Sequence, residues 1–313
     1  MRLSAVRRQK QITAVFRRMF ARQDAFFGRE LRGSSMYSFW KFTPGGNPTI
    51  LLKAGDVPPE KRAAVANAVM DAQHIGAEQT GYVRLEGKPR LDMMGGEFCL
   101  NATRSFAVLL AAKGLLMPEG DGFAGPVEVS GVKEDVAVRV FFRDDDLPFA
   151  EACLHFRRLP EPEHLSGDLT LVRVPGIAHI IQEGVLPAAD ELPEFCRRQR
   201  LLCGVEKEKA AGHLWISFPE EHSDAGTKAL SLRPVVWVRD TNSLCSESAC
   251  GSGTLACALA MHARSGAERY LVRQPSGCSL SVSMQKKDDG WDVWVGGPVR
   301  MTACGQTDLT GIL

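Results

Sequence analysis

Two stretches decide the fold: residues 95–116, GGEFCLNATRSFAVLLAAKGLL, and residues 246–263, SESACGSGTLACALAMHA. In each, a cysteine (Cys99 or Cys250) is followed by a few small or polar residues and then by a run at helical spacing that is apolar nearly all round. A helix apolar on every side cannot lie on a surface, so each run is expected to be a buried central helix wrapped by strands of its own half. The helices are expected over 100–113 and 251–263. Both cysteines then fall at helix N-termini, where unpaired N–H groups and the helix dipole favour negative charge. That placement is expected to lower a thiol's pKa toward neutrality and to offer backbone donors to a carboxylate.

Working outward, short strand-like runs fill the rest of the chain: 37–42, 49–53, 81–85, 127–129 and 136–142 in the first half, with a helix near 60–73. The second half repeats the plan, with runs at 169–174, 213–218, 235–239, 270–274, 279–284 and 292–296 and a helix near 193–202. The expected class is α+β, with two pseudo-symmetric domains, each a barrel-like sheet around its helix. They are taken as 36–160, carrying Cys99, and 161–313, carrying Cys250, with the last strand free to cross back. Sequence identity between the halves is weak, so the repeat rests on the order of elements.

The bulk numbers fit this picture. A chain of 313 residues accommodates two such domains. With 24% charged residues and a net charge of +1, neither nucleic acid nor an anionic membrane is suggested as a partner. No apolar run reaches the length of a membrane span. Nine cysteines without a CxxC pair or zinc-ligand spacing point to neither a metal centre nor a disulfide framework. A reducing cytoplasm is the simplest setting. Residues 1–35 stand apart, with nine Arg/Lys against Asp24 and Glu30. They read as a basic N-terminal extension: a dispensable tail, a surface helix, or a targeting or anion-binding helix.

The chemistry open to Cys99 and Cys250 is proton transfer. An amino acid's α-proton is weakly acidic, and inverting its carbon needs a base on one face and an acid on the other. Two cysteines can exchange those roles, and helix termini can stabilise the charge that develops on the substrate carboxylate. The plainer reading, two inert buried cysteines, remains open on residue chemistry alone.

Over nearly all of 36–313 the chain resembles the diaminopimelate epimerase-like superfamily. KFTPGGNPTILL is similar to the first strand and its Asn-bearing turn, and HIGAEQTGYV to the family's GIGADQ segment. GGEFCLNATR and SESACGSGTLACALA resemble the two cysteine motifs, VPGIAHII the strand with the site histidine, and QPSG and WVGGPVRM the closing strands. The resemblance implies Cys99 and Cys250 as catalytic acid and base. It implies substrate contacts at Asn47, Gln79 and His179, and at Leu100, Asn101, Gly251 and Ser252 around the helix starts. It also implies no metal, no organic cofactor and a homodimer.

Departures from the pattern bear on the substrate. Diaminopimelate epimerases carry Glu-Arg nine and eight residues before the second cysteine; here stand Thr241 and Asn242. Arg90 and Ile177 replace two further family asparagines. A second charged head group would lose several buried partners, each worth about 1–3 kcal/mol. The PGGN, GGEFC and ESACGSGT pattern is instead similar to histidine racemases that supply D-histidine to opine-type metallophore synthesis. L-Histidine is therefore the expected substrate, with Glu247, Asn242 or His179 as partners of its imidazole; Glu247 reads equally as a solvated or capping residue. A diaminopimelate-type epimerase and a non-catalytic amino-acid-binding homologue are the alternatives. Leu100 bears on the second, because the family has glycine there, where a Cβ is unwelcome.

Overall fold

A computed structural model describes residues 36–142, 147–165, 168–219, 226–239 and 242–312. The basic segment 1–35 and Thr241 lie outside the described residues. The fold is mixed α+β, rich in strands and sparing in helices. It divides into two compact units: one takes the chain up to Ala152 together with Pro298 onward, and the other is Cys153–Gly297.

The first unit opens with β1 (Met36–Pro44) and β2 (Thr49–Lys53), an antiparallel pair. Helix α1 (Arg62–Met70) carries the chain over to β3 (Gln79–Arg84), which lies parallel to β2 and antiparallel to β4 (Arg90–Met93). Helix α2 (Leu100–Lys113) and the short β5 (Met117–Glu119) follow. They lead to β6 (Gly122–Val129), parallel to β4, and to its antiparallel partner β7 (Val136–Phe142). Every residue of α2 except Lys113 is buried, and strands β1, β2, β3, β6 and β7 pack around it. Gly114, left-handed at φ 70°, ends the helix, a conformation that costs glycine little.

Strand β8 (Pro148–Phe156) leads into the second unit, where β9 (Glu163–His164) and β10 (Thr170–Val174) precede β11 (Ile177–Glu183). Strands β10 and β11 are antiparallel. Helix α3 (Leu192–Leu202) connects β11 to the parallel β12 (Ala210–Ser217), and β12 pairs antiparallel with β13 (Thr227–Val238). After β14 (Ser243–Ser246), helix α4 (Gly251–Ser265) leads to β15 (Arg269–Arg273), parallel to β13. Strands β16 (Ser279–Lys287) and β17 (Gly290–Asp308) close the unit, and the far end of β17 pairs with β1. Helix α4 is buried from Gly253 to Met261 and packs on β10, β11, β13, β15 and β16.

Both buried helices thus form where the apolar runs place them. Several strands were not legible in the sequence: β4, β5, β8, β9 and β14. The long β13 and β17 also extend well beyond the runs expected at 235–239 and 292–296.

Candidate active site

Each cysteine is the N-cap of its helix. Cys99 has φ −130° and ψ 110°, and its Sγ accepts from the N–H of Ala102 at 3.4 Å. Cys250 has φ −125° and ψ 109°, and its Sγ accepts from the N–H of Gly253 at 3.3 Å. Four residues on, Thr103 and Thr254 each donate a hydroxyl to the cysteine carbonyl at 2.7 Å. Sulfur takes the place of the usual capping oxygen, so the same atom that caps the helix is the candidate reactive group. All nine cysteines are free thiols, and these two alone share this arrangement among the described residues.

Around Cys99, half-exposed, the first unit gathers Asn47, Thr49, Glu78 and Gln79. The Cys99 thiol donates to Gln79 Oε1 at 2.9 Å. Gln79 Nε2 donates to Asn47 Oδ1 at 2.6 Å and to Thr49 Oγ1 at 2.7 Å. Asn47 Nδ2 in turn donates to the Glu78 carboxylate. The parallel register that sets Thr49 opposite Gln79 brings these side chains together. Leu100 and Asn101 begin α2 and are both buried; the Asn101 amide oxygen accepts from the buried Arg104 at 2.7 Å.

Around Cys250, the second unit gathers Glu247, Gly251, Ser252 and Gln274. Gln274 Oε1 accepts from the Cys250 N–H at 3.0 Å, while its Nε2 donates to Thr254 Oγ1 at 3.0 Å, tying the helix start down. Ser252 Oγ lies 3.5 Å from Sγ. The thiol is buried and hydrogen-bonded to the Glu247 carboxylate, and its pKa stands well above the ordinary value. Burial is the larger cause and the negative charge of Glu247 the second; the Ser252 and Gly253 hydrogen bonds pull the other way and lose. The expectation that the helix terminus lowers this thiol's pKa is therefore overturned for Cys250. Desolvation in a closed helix start outweighs one N–H donor.

The remaining candidates stand apart. His179 is fully buried on β11, and neither ring nitrogen has a hydrogen-bond partner among the described residues. Burial pushes its pKa down to about 3. It sits over Gly212, its neighbour in parallel register, where a Cβ would lie 2.0 Å from Nδ1. Asn242 is exposed at φ 47°, and its amide oxygen accepts from Trp237 Nε1 at 3.1 Å. It serves the β13–β14 turn, where asparagine tolerates a left-handed backbone. Arg90, in the place of a family asparagine, is paired with Asp92 and Glu128. Sequence reasoning passed over Glu78 and Gln274, although both lie inside the quoted motifs HIGAEQTGYV and QPSG.

Solved structures that include an epimerase and an isomerase share this fold. A hydroxyproline epimerase from Agrobacterium vitis, solved with trans-4-hydroxy-L-proline, superposes with a TM-score of 0.60 at 11% identity, covering 89% of this chain and 94% of its own. A PhzF-family phenazine biosynthesis protein from Bacillus anthracis gives 0.58 at 12% identity, covering 87% and 99%. Within that fold, residues 36–307 match the family model of the histidine racemase CntK N-terminal domain, and the chain belongs to that family. A histidine racemase from Fusobacterium nucleatum subsp. nucleatum is 29% identical over 273 residues, 86% of this chain and 95% of the relative. One from Staphylococcus aureus is 26% identical over 281 residues, 86% and 96%.

Proposed function

We propose that this chain is an isomerase that inverts the α-carbon of histidine, with Cys99 and Cys250 as its acid/base pair. The observation that carries the reading is the matched capping of α2 and α4 by cysteine sulfur, in a chain of the histidine racemase family. One cysteine, as thiolate, takes the α-proton of L-histidine and becomes a thiol. The electron pair left on carbon delocalises into the carboxylate, and the other thiol gives its proton to the opposite face and becomes a thiolate. Protons and charge balance, the roles are exchanged, and the next turnover can run from D to L. No electron-sink cofactor is needed for such a pair. Backbone N–H groups of Leu100, Asn101, Gly251 and Ser252 suit the substrate carboxylate, since the N-terminus of a helix favours an anion. Leu100 stands where the family has glycine; we place its side chain in the buried interior, with only its N–H turned to substrate.

The same sequence of pairings in both units, antiparallel, parallel through a helix, then antiparallel, supports two pseudo-symmetric domains, each a barrel-like sheet around its helix. We extend the reading to a cytoplasmic homodimer whose D-histidine feeds an opine-type metallophore synthase. The test is incubation of the reduced protein in D2O with single L-amino acids, histidine and diaminopimelate included, followed by NMR of the α-proton and chiral chromatography. Exchange and inversion of histidine, lost in Cys99→Ser and in Cys250→Ser, is the expected result. Serine is a good N-cap, so both variants should stay folded. Inversion of diaminopimelate instead of histidine, or binding of histidine without exchange, would overturn the assignment.

A further inference from the structure

We infer that Glu78 is a positioning residue that fixes the polarity of an amide relay, Glu78–Asn47–Gln79, and thereby favours the thiol form of Cys99. The inference rests on the reading of Cys99 as an acid/base group. A carboxylate accepts hydrogen bonds and cannot donate them, whereas an amide side chain offers two N–H on one side and an acceptor oxygen on the other. Because Asn47 meets the Glu78 carboxylate, its Nδ2 must face Glu78 and its Oδ1 must face away. Oδ1 then accepts from Gln79 Nε2 at 2.6 Å. The second N–H of Gln79 goes to Thr49 Oγ1 at 2.7 Å, and the Thr49 hydroxyl lies 3.1 Å from Asn47 Oδ1. With both its donors committed, Gln79 presents only Oε1 to Cys99, at 2.9 Å from Sγ.

A carbonyl oxygen welcomes S–H and repels S⁻. The relay therefore stabilises the thiol form of Cys99, while the Ala102 N–H on the other side of the sulfur favours the thiolate. Nothing in the Asn47–Gln79 pair itself sets this direction, since two amides can be hydrogen-bonded either way round. The carboxylate at the far end decides it. Replacing Glu78 by glutamine, which can donate, frees the relay to turn over and to aim Gln79 Nε2 at the sulfur. Glu78 is exposed in the bend just before β3, so the substitution leaves the core intact.

The experiment is iodoacetamide labelling of the full chain over a pH series, with Cys99 read separately by peptide mass spectrometry. It needs no turnover, so it succeeds or fails independently of the substrate. Glu78→Gln should label Cys99 roughly five- to tenfold faster at neutral pH, the scale of one ordinary net hydrogen bond. The gain should persist in about 1 M salt, where a bare charge effect across the relay is screened. The double variant Glu78→Gln/Asn47→Asp puts an acceptor-only group between two amides. It restores the original direction and should return the labelling rate to that of the unaltered protein. An unchanged rate in folded Glu78→Gln, a gain that disappears in high salt, or no rescue in the double variant would each overturn the inference.

Discussion

Acid should destabilise the second unit through its two buried histidines from about pH 6.5 downward. His179 and His213 are both fully buried, and both have their pKa pushed down to about 3, by burial first and, for His213, also by Arg200 and His179. The bonding of His213 shows why its neutral form is favoured. Arg200 Nη1, which can only donate, lies 3.3 Å from Nε2, so that nitrogen carries the lone pair. The ring proton then sits on Nδ1, which donates to Gln199 Oε1 at 2.8 Å, and Gln199 Nε2 passes a hydrogen bond on to Gln182. A second ring proton would face a guanidinium.

The folded-state values lie below the ordinary value of 6.5, so between the two the unfolded chain binds more protons. Stability is complete above about pH 6.5 and falls as the pH drops toward 3. At about 1.4 kcal/mol per unit, each histidine contributes roughly 2 kcal/mol of that loss by about pH 5. Urea unfolding followed by tryptophan fluorescence is the suitable assay, because four of the five tryptophans (Trp215, Trp237, Trp291 and Trp294) lie in this unit. The midpoint should begin to fall below about pH 6.5, and His213→Gln should remove about half of the slope. A midpoint that is flat between about pH 7.5 and 5.5 would refute the reasoning.

Three further outcomes are expected. Glu247→Gln removes the negative charge beside Cys250 and should move the labelling midpoint of that thiol to lower pH, leaving that of Cys99 in place; an unmoved Cys250 midpoint would show that burial alone sets it. Gly212→Ala forces a Cβ into the His179 ring and should cost about 1–3 kcal/mol in urea unfolding, whereas Gly305→Ala, with its nearest neighbour at 3.6 Å, should be nearly neutral. Finally, Gln274→Leu leaves the Cys250 N–H and Thr254 without their partner, so the thermal midpoint should fall together with turnover; full activity would remove Gln274 from the site's support.

How much of this was legible in the sequence depends on what carries each feature. Helix α2 declared itself because a run such as Phe106–Ala112 has no polar side to show to water, and nearly all of it is buried. Strand β8 did not, because Pro148, Ala150, Glu151 and Ala152 are weak strand formers and long-range pairing overrides their propensity. In β17 the expected run ended at Gly296, yet the strand continues through Gly297 and Pro298 to reach β1. At the site, the motifs supplied Asn47, Gln79 and the two cysteines. They did not supply the contact of Glu247 with a cysteine three residues away, which requires the chain to turn back on itself. Nor could they supply the packing of His179 on Gly212, which is set by a parallel register across a helix. The direction of the Asn47–Gln79 hydrogen bonds depends on Glu78, a charge that pattern matching treats as interchangeable with its neighbours.

The two sulfurs have unlike surroundings: Cys99 faces a neutral amide, half-exposed, and Cys250 faces a carboxylate, buried. For a racemase this inequality meets a strict thermodynamic bound. Mirror-image substrates have equal free energy in water, so the equilibrium constant is one and kcat/KM must be identical from either enantiomer. Whatever the Gln79 amide and the Glu247 carboxylate do to favour one protonation arrangement over the other, they cannot make the enzyme more efficient in one direction. Their difference can surface only as matched differences in kcat and KM, with the enantiomer that binds more weakly turning over proportionately faster.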